Sequence, residues 1–282
     1  MLPKLMWWAF MLQIATCSCQ QEKQNEGFRE GKSLYKIKKL GKLPKEIQET
    51  SGLAWATKEG TFWTHNDSGN PAELYEIAKS GKIIAQLKLP KLINMDWEDL
   101  AQDARGNLYI ADIGNNDNQR KDLAIYKLNP NRPDVYETIQ LRYAGQTAFP
   151  PTPDERNFDC EAVIWHQNKL YLFSKNRSKT NRFAKLYALP DSAGNYLLSP
   201  QDSVYSKAMV TSADISPNGK TLALLTYGKI LLFDVSKGIS FKKPTYCIKA
   251  NLGQSEAIVF INDTDFVVTN EKKGEIWSVK RK

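Results

Sequence analysis

One hydrophobic pattern recurs along the chain: an aliphatic residue, an aromatic, any residue, then an aliphatic. The copies are Leu74-Tyr75-Glu76-Ile77, Ile125-Tyr126-Lys127-Leu128, Leu186-Tyr187-Ala188-Leu189, Leu232-Phe233-Asp234-Val235 and Ile276-Trp277-Ser278-Val279. Short runs of this composition predict strands. A second apolar run precedes each copy: Phe62-Trp63, Leu108 to Ala111, Leu170 to Phe173, Leu222 to Leu225 and Phe266 to Thr269. Ahead of that run lies a segment rich in small residues: Ser51-Gly52-Leu53-Ala54, Glu98-Asp99-Leu100-Ala101, Cys160-Glu161-Ala162-Val163, Ser212-Ala213-Asp214-Ile215 and Ser255-Glu256-Ala257-Ile258. Turn residues such as Arg105-Gly106-Asn107 and Pro217-Asn218-Gly219 separate the runs. No apolar stripe of helical period follows the N-terminal segment.

Five copies of a strand unit predict an all-β, five-bladed β-propeller with four-stranded blades. Within each unit the order is inner strand, second strand, aromatic third strand, outer strand. The last unit reaches Lys282 after its third strand, so its outer strand is expected from the N-terminus, where Tyr35 and Ile37 alternate with Lys36 and Lys38. That closure protects the sheet edges. Six blades are the alternative, should the insertion between Asn129 and Phe158 hide a degenerate unit. A β-sandwich is weaker, since it leaves the five copies unexplained.

Outside the repeats, Lys4 and the apolar run Leu5 to Ala15 have the form of a secretory signal. Ile14-Ala15-Thr16-Cys17 resembles a lipoprotein processing site, with Cys19 as the fallback acylated residue and cleavage without lipid as the plain alternative. The expected organisation is residues 1–19 as signal with lipid-bearing Cys17, 20–32 as flexible tether and 33–282 as a single propeller. The tether rests on the polar composition of residues 20–32. Within the folded region only Cys160 and Cys247 are counted, in different repeats, so a disulfide framework is not expected. The expected destination is an exported one: periplasm, or a lipoprotein of the outer membrane or cell surface. The formal charge of +8 is spread along the chain, which predicts a solvated surface and no nucleic-acid partner.

The repeat also brings polar residues together. Aligned on one another, three inner-strand segments carry a carboxylate at one position: Asp99, Glu161 and Glu256. Glu98 and Asp159 flank that row. Second strands run antiparallel to inner strands, so their ends lie beside the inner-strand starts. Those ends are Asn66, Asp112, Ser174, Thr226 and Asn270, followed by Asp67, Ile113, Lys175, Tyr227 and Glu271. Carboxylates converging on one axis repel each other and need compensation. Hard oxygen donors suit Ca²⁺, with Asp99, Glu161 and Glu256 as expected ligands. Glu98, Asp159, Asn66, Asp67, Asp112, Lys175, Asn270 and Glu271 complete a candidate ligand-binding mouth. The alternative is that these acids cap backbone N–H groups in a wet channel. Residues 112–118 lack the EF-hand spacing, and two histidines make a multi-His zinc site improbable. His65 is the candidate general base, against a structural role at a strand end. The basic residues Lys175, Arg177, Lys179 and Arg182 read as a solvated loop beside the mouth. GxSxG, GxxxxGK[ST] and GxGxxG are absent.

The segments Thr50-Ser51-Gly52-Leu53-Ala54, Leu74-Tyr75-Glu76-Ile77, Trp97-Glu98-Asp99-Leu100-Ala101 and Leu108-Tyr109-Ile110-Ala111-Asp112 resemble secreted propellers of the SdiA-regulated and esterase-like-phytase families. More loosely they resemble the strictosidine-synthase and lactonase group. That resemblance implies Ca²⁺ in the channel at Asp99, Glu161 and Glu256. Relatives in the wider group are often six-bladed, from which five copies depart. The leading functional expectation is an envelope-anchored, monomeric binding module for a small molecule or an envelope protein. The alternatives are a metal-dependent hydrolase of a lactone, phosphoester or related ester, and a structural role in an envelope assembly.

Overall fold

The computed structural model describes residues 18–56, 58, 60–178 and 180–282. A helix, α1 (Gln20–Glu26), is followed by β1 (Arg29–Glu30) and β2 (Tyr35–Lys42). Blade 1 is β3 (Thr50–Trp55), β4 (Thr61–Asn66), β5 (Glu73–Ala78) and β6 (Ile83–Lys88). Blade 2 is β7 (Trp97–Gln102), β8 (Leu108–Asp112), β9 (Ala124–Asn129) and β10 (Arg132–Tyr143). Blade 3 is β11 (Cys160–His166), β12 (Lys169–Ser174) and β13 (Phe183–Pro190); β14 (Gly194–Leu198) then crosses to blade 2, and β15 (Asp202–Tyr205) is the outer strand. Blade 4 is β16 (Val210–Ile215), β17 (Thr221–Thr226), β18 (Lys229–Asp234) and β19 (Pro244–Lys249). Blade 5 is β20 (Ser255–Phe260), β21 (Phe266–Asn270) and β22 (Glu275–Arg281), completed by β2.

The five inner strands adjoin one another in a closed ring, β3 to β7 to β11 to β16 to β20 and back to β3. The propeller therefore has five blades, and the stretch considered for a sixth is the outer strand β10 with its following loop. Closure is as expected: β2 pairs antiparallel with β22, placing Ile37 opposite Val279. Two blades exceed four strands. β14 pairs parallel with β10, and β1 pairs parallel with β19, covering edges that would otherwise be open.

Packing explains the recurring aromatic. Five apolar clusters lie between neighbouring blades, and each takes in one third-strand ring: Tyr75, Tyr126, Tyr187, Phe233 or Trp277. Aliphatic residues of the second strands, such as Leu172 and Leu224, supply the facing surface. Burial of these rings contributes apolar contact to blade adhesion.

The N-terminal segment departs from the expected tether. Residues 20–26 are helical, and Phe28 is buried edge-on against Phe233 at 5.1 Å. Glu22 is buried and ion-paired with the buried Lys229 at 2.5 Å. Cys19 forms a disulfide with Cys247 of β19, where no disulfide was expected. The reason is topological: β1 lies beside β19, so the chain preceding β1 passes the outer strand that carries Cys247. Cys160 remains a buried free thiol. Cys17 lies outside the described residues, as does Lys179. Among the described residues no helix is long and apolar enough to cross a membrane.

Candidate functional site

The site is built by a repeated irregularity. Each inner strand carries an extra residue near its start, so its pairing with the second strand slips between Ser51 and Ala54, Trp97 and Asp99, Cys160 and Ala162, Val210 and Ser212, and Ser255 and Ala257. Such bulges re-aim side chains. Counting from the second-strand partners Asn66, Asp112, Ser174, Thr226 and Asn270, the row at the bulge is Ser51, Glu98, Glu161, Thr211 and Glu256. Glu98, not Asp99, is thus the structural equivalent of Glu161 and Glu256. A shift of one residue in a strand exchanges faces.

Asp99 accordingly points elsewhere. It is buried in the wall of the channel and accepts hydrogen bonds from Leu100 N (2.9 Å), Val163 N (3.1 Å), Ala213 N (3.4 Å) and Ser212 Oγ (3.2 Å). Burial pushes its carboxyl well above the ordinary range, against the pull of these donors. Asp99 ties blades 2, 3 and 4 together and leaves the expected set Asp99, Glu161 and Glu256 incomplete.

Five other carboxylates do converge. Asp67, Asp96 and Glu98 present oxygens within 4.8 Å of one another, and so do Glu98, Asp159 and Glu161, with Glu98 shared. Two blades contribute the same tripeptide pattern, Asp96-Trp97-Glu98 and Asp159-Cys160-Glu161. Asp67 comes from the end of β4, where Asn94 Nδ2 donates to its carbonyl at 2.9 Å. Asp112 fixes Asp96 by accepting its backbone N–H at 3.1 Å, and is itself paired with Arg120 at 2.9 Å.

The two acidic groups differ in their counter-charges. Arg177 binds Asp159 at 2.6 Å and Glu161 at 2.9 Å, and Lys175 donates to Glu161. Among the described residues, no Lys or Arg makes an ion pair with Asp67, Asp96 or Glu98. Burial, then the charges of Asp67 and Asp159, holds Asp96 up at about 7. Burial and the neighbouring Glu161, Asp67 and Asp96 push Glu98 well above the carboxylate range. Asp67 is also raised by burial.

A cavity of about 380 Å³ opens beside the cluster, lined by Glu98, Glu161, Lys175, Arg177, Tyr227 and Glu256 among others. Asp67, Met209, Gln254 and Glu271 complete its rim. Tyr227 donates to Glu256 at 2.7 Å, and Lys175 Nζ lies 5.4 Å from the Tyr227 ring centre. Burial lifts Glu256 to about 8 despite the nearby Lys175. Burial works against the charge of Lys175, but Glu161, Tyr227 and Glu256 hold it well above its usual value.

Three of the expected mouth residues are structural. Asn66 accepts from Glu49 N at 3.2 Å and donates to Glu46 O at 2.8 Å; Asn270 donates to Leu252 O at 2.7 Å; Asp112 is taken up by Asp96 N and Arg120. The residues one place later, Asp67, Lys175, Tyr227 and Glu271, line the cavity. His65 is fully buried, edge-on to Trp97 at 5.6 Å, with Nδ1 against Asn66 O at 2.9 Å. Burial depresses it to about 4, and it does not line the cavity, so it is a blade-interface residue. Arg177, which the sequence placed in a solvated loop, is instead a counter-ion of the cluster. Asp96 escaped the sequence reading altogether. The signal was there in the repeated Asp-x-Glu at 96–98 and 159–161.

Fold and site together define a five-bladed propeller with an acidic basin at one mouth. The sequence pattern of the SdiA-regulated family matches residues 32–223, and the chain belongs to that family. Its fold is similar to that of XC5397, a gluconolactonase from Xanthomonas campestris (12% identity, 88% of this chain and 90% of that one, TM-score 0.52). It is also similar to the PQQ-bound aldose sugar dehydrogenase of Streptomyces coelicolor (9% identity, 88% and 98%, TM-score 0.53). At these identities the likeness is one of fold. No curated protein sequence matches the chain.

Proposed function

We propose that this protein is an exported binding propeller that holds a divalent cation, Ca²⁺, at Asp67, Asp96 and Glu98 and receives a small polar molecule in the adjoining cavity. The observation that carries this reading is the acidic group itself: three crowded carboxylates to which, among the described residues, no basic side chain is ion-paired, unlike Asp159 and Glu161. The donor chemistry fits. Ca²⁺ binds carboxylate oxygens at 2.3–2.6 Å, so oxygens on opposite sides of the ion stand roughly 5 Å apart. The limiting separation of 4.8 Å lies within that span. Three side chains leave coordination positions for oxygens of the ligand, which the ion would polarise. Calorimetric titration of the chelator-treated protein with Ca²⁺ tests the reading. Saturable binding that Glu98→Gln abolishes is expected, and heat changes no larger than dilution would refute it.

A second reading, a metal-dependent hydrolase of a lactone, phosphoester or related ester, is favoured by Glu256. Its carboxyl, lifted to about 8 and hydrogen-bonded by Tyr227, holds a proton at neutral pH within the same cavity. Turnover of such esters that is lost both with chelator and in Glu98→Gln would select this reading; no turnover of any of them leaves the binding module.

Export is supported by the Cys19–Cys247 disulfide, since such bonds persist in oxidising compartments. With the Cys19 sulfur engaged, Cys17 is the proposed acylation site. Palmitate labelling lost in Cys17→Ala but kept in Cys19→Ala is the expected result, and absence of label in the unaltered protein would remove the anchor.

A further inference from the structure

We propose that Gly114 is the positioning residue of the cation site: because it has no side chain, Asp96 and Glu98 can stand side by side, and a methyl group there abolishes tight cation binding without removing a ligand. The inference rests on the cation reading above and deepens it.

The case is one of space. A Cβ at residue 114 would lie 2.1 Å from Glu98 Oε1 and 2.4 Å from both Cγ and Oδ2 of Asp96. Real Cβ atoms do not approach other atoms that closely, so both carboxylates would have to move. Backbone conformation does not account for the glycine, because Gly114 is not among the residues with positive φ, which include Gly106 and Gly219 on either side in sequence. What position 114 requires is the missing side chain.

The segment around Gly114 also cannot retreat. Gly114 N donates to Asp96 O at 3.1 Å, and Arg120 Nη1 donates to Gly114 O at 2.8 Å. Asn115 N donates to Asp159 Oδ1 at 2.7 Å, and Asn115 Nδ2 to Phe158 O at 3.0 Å. The strand end β8 fixes the other side through Asp112, whose carboxylate holds both Asp96 N and Arg120. The backbone at 114 and 115 is therefore wedged against Asp96, Glu98 and Asp159, and an added methyl displaces the side chains rather than the backbone. Ligand groups displaced by an ångström no longer close on one ion.

Ca²⁺ titration of the full chain, by calorimetry after chelator treatment, tests this with Gly114→Ala, Arg120→Lys, Glu98→Gln and Asp99→Ala. Gly114→Ala is expected to keep the wild-type circular dichroism and to bind Ca²⁺ at least tenfold more weakly. Arg120→Lys adds no bulk but loosens the hold on Gly114 O, and is expected to weaken binding severalfold. Asp99→Ala, which removes inter-blade hydrogen bonds beside Glu98 without changing the space at Gly114, is expected to keep its affinity. A folded Gly114→Ala with affinity within twofold of wild type overturns the proposal. Should Gly114→Ala not fold, unchanged affinity in Arg120→Lys overturns it instead. An equal loss in Asp99→Ala would trace the effect to general destabilisation and also overturn it. If Glu98→Gln itself binds Ca²⁺ normally, it is the cation reading that fails, whatever Gly114→Ala does.

Discussion

Replacing Glu98 by Gln should make the ion-free protein more stable at neutral pH while removing its response to Ca²⁺. The sign follows from where the protons reside. Asp96 titrates at about 7 in the folded chain against an ordinary value of 3.8. Below the ordinary value both folded and unfolded chains are protonated and the site costs nothing. As pH rises towards 7 the unfolded chain ionises while the folded one does not, so stability falls, and the full cost is present above 7. A displacement of about 3 pH units corresponds to about 4 kcal/mol for Asp96 at that limit, taking 1.36 kcal/mol per unit. Glu98 adds to this in the same direction, since its carboxyl is raised by burial and by Glu161, Asp67 and Asp96. The isosteric amide cannot ionise in either state, so the variant is free of the Glu98 share of this cost. Relief of about 1–2 kcal/mol corresponds to a rise of roughly 2–6 °C in melting temperature for a chain of this size. Ca²⁺ at a hundred times its dissociation constant adds about 2.7 kcal/mol to the unaltered protein and nothing to a variant that cannot bind it. Differential scanning calorimetry at pH 8, with chelator and with saturating Ca²⁺, reads both effects. A Glu98→Gln protein that melts lower than wild type in chelator, or that still gains stability with Ca²⁺, would refute the reasoning.

Four further outcomes are expected. Asp99→Ala strands the N–H groups of Leu100, Val163 and Ala213, each worth about 1–3 kcal/mol when buried and unpaired, so unfolding by denaturant should show a loss of at least 3 kcal/mol with Ca²⁺ affinity intact. Cys19→Ser should lower stability by about 2–5 kcal/mol and expose residues 20–30 to protease, measured against the oxidised and reduced wild type. The His65 ring should remain neutral until about pH 4 in an NMR titration, and stability should fall as pH drops from 6.5 towards that value because the unfolded chain takes up the proton first. Arg177→Gln leaves Asp159 and Glu161 without their guanidinium, which should lower the melting temperature in chelator and create a second Ca²⁺ equivalent in calorimetry.

Much of the fold was legible because its cause is periodic. Aromatics such as Tyr187 and Phe233 recur since each gap between blades needs a ring to fill it, and the β2 closure follows from a last unit one strand short. The strap at residues 19–30 was not legible. Its composition is that of a solvated tether, and only the tertiary partners Lys229, Phe233 and Cys247 make Glu22, Phe28 and Cys19 interior residues. The site was legible in location and mistaken in register. Setting Glu98 and Ser212 level with Cys160 misplaced them by one and two residues, since Trp97 and Val210 are the residues paired at that level, just before the bulge. That slip promoted Asp99, which fastens blades together, over Glu98, which faces the mouth. Local sequence carries little trace of such a bulge, because the extra residue is accommodated by the backbone and not by a particular side chain; only blade 1 marks it, with Gly52 at φ +70°.

With the register corrected, the mouth resolves into three rings of aligned positions: Glu49, Asp96, Asp159, Met209 and Gln254; Ser51, Glu98, Glu161, Thr211 and Glu256; and Asp67, Ile113, Lys175, Tyr227 and Glu271. Fivefold repetition supplies the places, and divergence between blades supplies the chemistry. Where the second ring lacks a carboxylate, a hydroxyl pins the next inner strand instead: Ser51 donates to Glu98 O, and Thr211 to Ser255 O at 2.8 Å. Blades 5, 1, 2 and 3 each carry two acids in these rings, and blade 4 carries Met209, Thr211 and Tyr227 in their place. A symmetric ring of five glutamates would spread its repulsion evenly and define no single ion position. Clustering the acids on adjacent blades, and giving one half of them Arg177 and Lys175, leaves the charge imbalance at Asp67, Asp96 and Glu98. It is on this asymmetry, set by side chains on an otherwise repetitive frame, that the proposal of a cation site on one side of the mouth and a ligand-facing wall on the other rests.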